Sequence, residues 1–93
     1  MTHEKLNDLM AHREDIWFDV RRELELQWKR YGGPDHDDTH SRRDWVSLIC
    51  GRLGKADRHA DEIATAGYIS AMIEVAALAI AAIESTERMD GSR

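Results

Sequence analysis

The stretch from about Ala66 to Arg88, AGYISAMIEVAALAIAAIESTER, limits the choice of fold more than any other part of the chain. Its middle is apolar around the whole helical circumference, so a helix here has to be buried on several sides at once. The chain has only 93 residues. A chain of that size hides roughly 60–65% of its unfolded surface and has little left over to surround a helix alone. The sequence therefore predicts an all-α fold: a small helical bundle completed by oligomerisation. Ala71, Ala76, Ala77, Ala79, Ala81 and Ala82 are small enough for close helix–helix approach, which points to a homodimer or larger assembly built partly on this helix.

The rest of the chain supplies the covering elements. From about Thr2 to Tyr31, Leu6, Leu9, Met10, Ile16, Trp17, Val20, Leu24, Trp28 and Tyr31 recur in steps of three and four, the pattern of one amphipathic helix face. Gly32-Gly33-Pro34 stops that helix, since glycine caps a C-terminus and proline cannot continue it. Asp35 to Ser41 holds no apolar residue and reads as a loop. Ser41, with Asp44 three residues on, is the expected N-cap of a short middle helix. That helix should turn Trp45, Val46, Ile49, Cys50 and Leu53 inward and end near Gly54, and the polar stretch from Lys55 to Glu62 fits loop or helix equally. The expected organisation is one domain over residues 1–93, with 1–5 and 89–93 frayed or disordered.

Composition removes several classes of function. The chain is 42% hydrophobic and 33% charged, which is too apolar for disorder. A net charge of −5 argues against a nucleic-acid partner, and the short basic stretches at Arg21, Arg22, Lys29, Arg30 and at Arg42, Arg43 read as solvated helix surface. Cys50 is the only cysteine, so no intrachain disulfide can form, and its periodic position suggests a buried, inert thiol. The charged N-terminus has no signal-peptide character, and the run from Tyr68 to Ile83, broken by Ser70 and Glu74, falls short of a membrane span. These features predict a cytoplasmic protein without a membrane partner.

Two features exceed what a plain bundle needs. His36-Asp37-Asp38-Thr39-His40 places two imidazoles and two carboxylates within five residues, a set able to bind a divalent ion, polarise water or contact a phosphate. The bland alternative is a solvated polar linker whose Asp residues cap backbone amides. Glu74 is the only charged residue between Tyr68 and Ile83. A carboxylate there needs a partner: arginines of the first helix, the His-rich loop or a metal are candidates, and a structural salt bridge or an edge position reaching solvent is the equally weighted plain reading. Glu23 and Gln27 share a helical stripe leading to Tyr31, so this stripe can face the same loop. Trp17, Trp28 and Trp45 suit core or interface positions, and any one of them could instead stack on a base. No Gly-rich phosphate loop, Cys-x-x-Cys or Ser-His-Asp order is present.

Taken together, Glu23-Leu24-Glu25-Leu26-Gln27, Tyr31-Gly32-Gly33, His36-Asp37-Asp38-Thr39-His40, Asp44-Trp45 and the run from Val75 to Glu84 resemble small phage and prophage proteins of the MazG-like group. The resemblance covers about Asp19 to Arg88. It implies an all-α nucleoside triphosphate pyrophosphohydrolase fold, a dimer or tetramer, with Mg²⁺ or Mn²⁺ as cofactor. The chain departs from that pattern where the chemistry would sit. The Glu-Glu-x-x-Glu run of catalytic members falls near SLICGRLGK, which has no acid, and Ala71 and Glu74 take the places of the later Glu-x-x-Asp pair. Leu24 and Leu26 also stand where the relatives carry arginines.

The resulting expectation is a nucleotide-binding protein, with two outcomes left open. If it is a hydrolase, Asp38 and Glu74 are the catalytic carboxylates, and Asp37, Asp38 and His40 the metal ligands. If it is non-catalytic, it sequesters a signalling nucleotide used in host defence. In both, Glu23, Gln27, Tyr31, His36, Asp37, His40 and Trp45 line the ligand site. A purely structural or protein-interaction module is the third reading.

Overall fold

The computed structural model describes residues 2–91 and contains four helices and no strand among them: α1 (His3–Tyr31), α2 (Pro34–Asp37), α3 (Arg42–His59) and α4 (Ala66–Asp90). The parts of the expected frayed termini at residues 1, 92 and 93 lie outside the described residues. The all-α expectation holds. α4 is the hub, with α3 packed along it, α1 against it, and α2 touching it near its C-terminal end.

Local signals account for the helix ends. The Thr2 hydroxyl accepts the Lys5 N–H at 3.3 Å to open α1. At its far end Gly32 adopts a left-handed conformation, and its N–H donates to the Trp28 carbonyl at 2.9 Å. Gly33 follows at φ 74°, ψ −151°, a region open essentially to glycine alone. A Cβ added there would lie 3.8 Å from the Trp28 indole. Pro34 then starts the single turn of α2, so the segment expected to be all loop begins as a helix. Pro at the first helical position costs no hydrogen bond, which is what allows a turn so short. Ser41 opens α3 with a complete capping box: its hydroxyl accepts the Asp44 N–H at 3.1 Å, and its own N–H donates to the Asp44 carboxylate at 2.8 Å.

α3 corrects three expectations. It runs through Gly54 to His59 because Ala56 is buried and Lys55 is ion-paired to α4, so tertiary contacts outweigh the weak propensity of glycine. Its inward stripe is Trp45, Ile49, Arg52 and Ala56, which leaves Val46, Cys50 and Leu53 exposed. Cys50 is thus a free surface thiol instead of a buried one.

The core is thin. Trp45, Leu78 and Ala81 form its buried centre, with Leu24, Ile49 and Ala82 packed around them. Burying one indole removes roughly 200 Å² of surface, worth about 5 kcal/mol as an upper figure, so Trp45 dominates this cluster. Ala71, Ala77 and Ala81 are buried within the chain itself, where they let α1 and α3 approach α4 closely. By length and composition α4 is apolar enough to cross a membrane, with mean hydropathy 1.9 over its best window. In the fold it is the helix on which the others pack.

The interior glycines of α3 give a direct test of the packing. A Cβ on Gly51 would meet nothing within 4 Å, and one on Gly54 only the tip of Arg58 at 3.9 Å. Gly51→Ala and Gly54→Ala should each stabilise the protein by about 0.5–1 kcal/mol in urea denaturation. Ser41→Ala, which removes the cap, should cost about 1 kcal/mol and lower Tm by about 4–8 °C.

Candidate functional site

The turn at Gly32-Gly33 folds α2 back over the end of α1, and this brings the polar segment against α3. Four rings follow one another as a result. Tyr31 stacks on His36 with centroids 6.0 Å apart, His36 meets His40 edge-on at 5.0 Å, and His40 meets Trp45 edge-on at 4.9 Å. They form one wall of a cavity of about 310 Å³. Gln27, Asp37, Leu48, Arg52 and Leu78 complete the lining. Its volume lies at the lower edge of the range typical of small-molecule sites.

Six of the seven residues expected to contact a ligand converge here: Gln27, Tyr31, His36, Asp37, His40 and Trp45. Glu23 stands one turn back on α1 and accepts a long hydrogen bond from the Gln27 amide at 3.5 Å, which orients Gln27 without lining the cavity. Arg52 is the residue that sequence reasoning missed. It falls on the inward stripe of α3 between Ile49 and Ala56, and a basic residue at an apolar-periodic position was the available signal. Its Nε is buried without a hydrogen bond, 3.6 Å from the Glu74 carboxylate. The Glu74 carboxylate stands on that side of the guanidinium, while the side chain as a whole stays 38% exposed and lines the cavity.

The two carboxylates assigned to catalysis sit elsewhere, each with a structural partner. Asp38 receives the Arg88 guanidinium at 2.8 and 3.2 Å and the Ser85 hydroxyl at 2.8 Å, an arrangement that ties α2 to α4. Hydrogen bonds from Arg88 and Ser85 hold its pKa below the ordinary carboxylate value. Glu74 takes the Lys55 ammonium at 3.2 and 3.3 Å, so its partners are Lys55 and Arg52 of α3 instead of the first helix, the His-rich loop or a metal. Asp37 is the carboxylate left at the cavity, and burial raises its pKa against the opposing pull of Arg88, His36 and His40. Among the described residues no three His, Cys, Asp or Glu side chains come together as a metal-holding group. Of the three residues expected as metal ligands, Asp38 is taken up by Arg88 and Ser85, while Asp37 and His40 line the cavity.

The adjacent aspartates should respond oppositely to neutralisation. Asp38 has a lowered pKa, so its stabilisation is complete above the unfolded value near 3.8 and is lost as pH falls through its folded value. Asp37 has a raised pKa, so its ionisation at neutral pH opposes folding and protonation relieves this. At pH 7, Asp38→Asn should lower the urea midpoint and Asp37→Asn should raise it. On acidification below pH 3.8 the gap between Asp38→Asn and the parent should close.

No protein-family model, curated protein or solved structure matches this chain, and its function has to be read from these side chains.

Proposed function

We propose that the chain binds a phosphorylated nucleoside or a related nucleotide-derived molecule in the cavity bounded by Tyr31, His36, His40 and Trp45, and holds it without hydrolysis. The observation that carries this reading is the convergence of four rings, one amide and a partly exposed arginine on a single small cavity. Aromatic and imidazole faces suit a base, because stacking tolerates any π-system. The Gln27 amide can both donate to and accept from a base edge, and Asp37 can accept from sugar hydroxyls. Arg52 suits a phosphate, since guanidinium matches its oxygens in a two-pronged fashion.

Against catalysis stands the use of the carboxylates. Metal-assisted cleavage of a phosphoanhydride draws on several acidic ligands around the ions. Here Asp38 and Glu74 are engaged in ion pairs, which leaves Asp37 as the one carboxylate lining the cavity. A holder of nucleotides is what remains, and the likeness to small phage proteins extends it to sequestering a signalling nucleotide used in host defence.

Thermal denaturation with nucleoside phosphates, cyclic nucleotides and ADP-ribose derivatives, each with and without Mg²⁺ and Mn²⁺, tests the proposal. A true ligand at one hundred times its Kd should add about 2.7 kcal/mol, a rise in Tm of about 10 °C or more. Arg52→Gln should weaken that ligand by about tenfold to a hundredfold while the fold persists. Trp45 is unsuitable as a probe because it is also the centre of the core. Unchanged melting across the panel would sink the reading, and product formation with either metal would restore the hydrolase.

A further inference from the structure

The molecule exposes far more surface than a chain of its mass needs to. Its accessible area is 7238 Å², whereas a globular monomer of 10.7 kDa exposes about 5,500 Å². The radius of gyration is 15.5 Å, against about 12 Å for a compact domain of this length. The excess, on the order of 1,700 Å² per chain, exceeds the roughly 800 Å² per partner that a standard interface buries. Much of it lies on α1, whose 29 residues span about 43 Å and contact α4 along one stripe only. On the flank of that stripe, Trp17 is 64% and Phe18 62% exposed, and Met10 and Trp28 lie on the same side.

We infer that this flank is an interface with a second copy of the chain, in which two α1 helices pair antiparallel about a two-fold axis between Trp17 and Phe18. Charge decides both the occupant and the direction. From His3 to Asp19, α1 carries the acids Glu4, Asp8, Glu14, Asp15 and Asp19 against Lys5 and Arg13. From Val20 to Tyr31 it carries Arg21, Arg22, Lys29 and Arg30 against Glu23 and Glu25. Of these charges, Glu14 and Arg21 are the ones beside Trp17 and Phe18, an acid towards one end of the patch and a base towards the other, so the patch is complementary to itself only when reversed. Parallel pairing sets like charge against like, whereas antiparallel pairing opposes unlike ends and also opposes the helix dipoles.

The centre of the patch has the same self-complementarity at the level of single residues. Glu14, Trp17, Phe18 and Arg21 line one shallow depression, and the two charges are spaced equally about the aromatic pair. A two-fold axis there sets Glu14 opposite Arg21 of the partner subunit, twice, with the aromatics packed between. Among the described residues neither Glu14 nor Arg21 has an ion-pair partner within its own chain. Such reciprocity is the signature of an isologous contact, where one patch meets its own copy. It does not involve the ligand cavity, so the two proposals stand or fall separately.

Sedimentation velocity on the full chain, with circular dichroism as a check of folding, tests this. The parent should run at twice the 10.7 kDa chain mass at micromolar concentration, and loosen as salt is raised. Glu14→Arg alone and Arg21→Glu alone each turn both cross-pairs repulsive, and each should weaken the dimer by about tenfold or more. An equal mixture of the two variants should recover the dimer as a heterodimer of one chain of each, because each new arginine then faces a new glutamate. Trp17→Ala should also dissociate it without loss of helix within the monomer. A parent that stays at the monomer mass would overturn the inference and leave the patch to a different partner. Single variants that dimerise like the parent, or a mixture that fails to recover, would overturn it equally.

Discussion

Asp38 is where the geometry of the cavity is decided. Its carboxylate gathers the Arg88 guanidinium and the Ser85 hydroxyl from the last turns of α4. Through that one side chain, a four-residue helix too short to persist alone is fastened to the longest-packed element of the molecule. Because Asp38 is held, its neighbours His36, Asp37 and His40 have fixed positions over the gap between α1 and α3. Ser85 is almost wholly buried and also donates to the Asp37 carbonyl at 3.3 Å, so the anchor secures backbone as well as side chain. Charge-assisted hydrogen bonds of this kind are the stronger sort, and several acting on one carboxylate define its orientation closely.

That role explains why two neighbouring aspartates cannot be ranked by sequence. Asp37 and Asp38 look equivalent in a His-Asp-Asp-x-His string, yet one faces the cavity and the other faces away into α4. The distinction depends on residues nearly fifty positions later. Ser85 and Arg88 carried no mark of their own in the sequence, because a serine and an arginine near a helix C-terminus are ordinary surface choices. Glu74 was legible as needing a partner, but which one depended on α3 continuing past Gly54, and helix propensity around two glycines argued against that. The long helices, the Gly-Gly-Pro stop and the Ser41 cap were legible because each rests on local backbone chemistry. The stripe from Gln27 to Tyr31 was legible because helical spacing alone puts those residues on one side. Arg52 was hidden by its charge, which masked an inward position that the period of its neighbours already implied.

The ion pairs of Asp38 and Glu74 also bear on what those carboxylates are free to do. A carboxylate available to a metal has to remain unpaired and partly desolvated, which destabilises the fold. In this chain Asp38 and Glu74 have been given cations from the neighbouring helices, and both contribute to holding a thin core together. Lys55 and Arg52 share Glu74 from the same face of α3, and Arg52 also lines the cavity. One arginine thus both ties α3 to α4 and borders the cavity.

The paired glycines after α1 have a consequence for how such a protein can diverge. The direction in which the His-bearing segment leaves the first helix is set by two backbone conformations, one left-handed and one reachable essentially by glycine alone. The rings and polar groups around the cavity can therefore be exchanged one at a time while the turn that aims them stays as it is. Changing either glycine would re-aim all of them together. A lineage built on this turn can change the chemistry of the cavity gradually, but its position only abruptly.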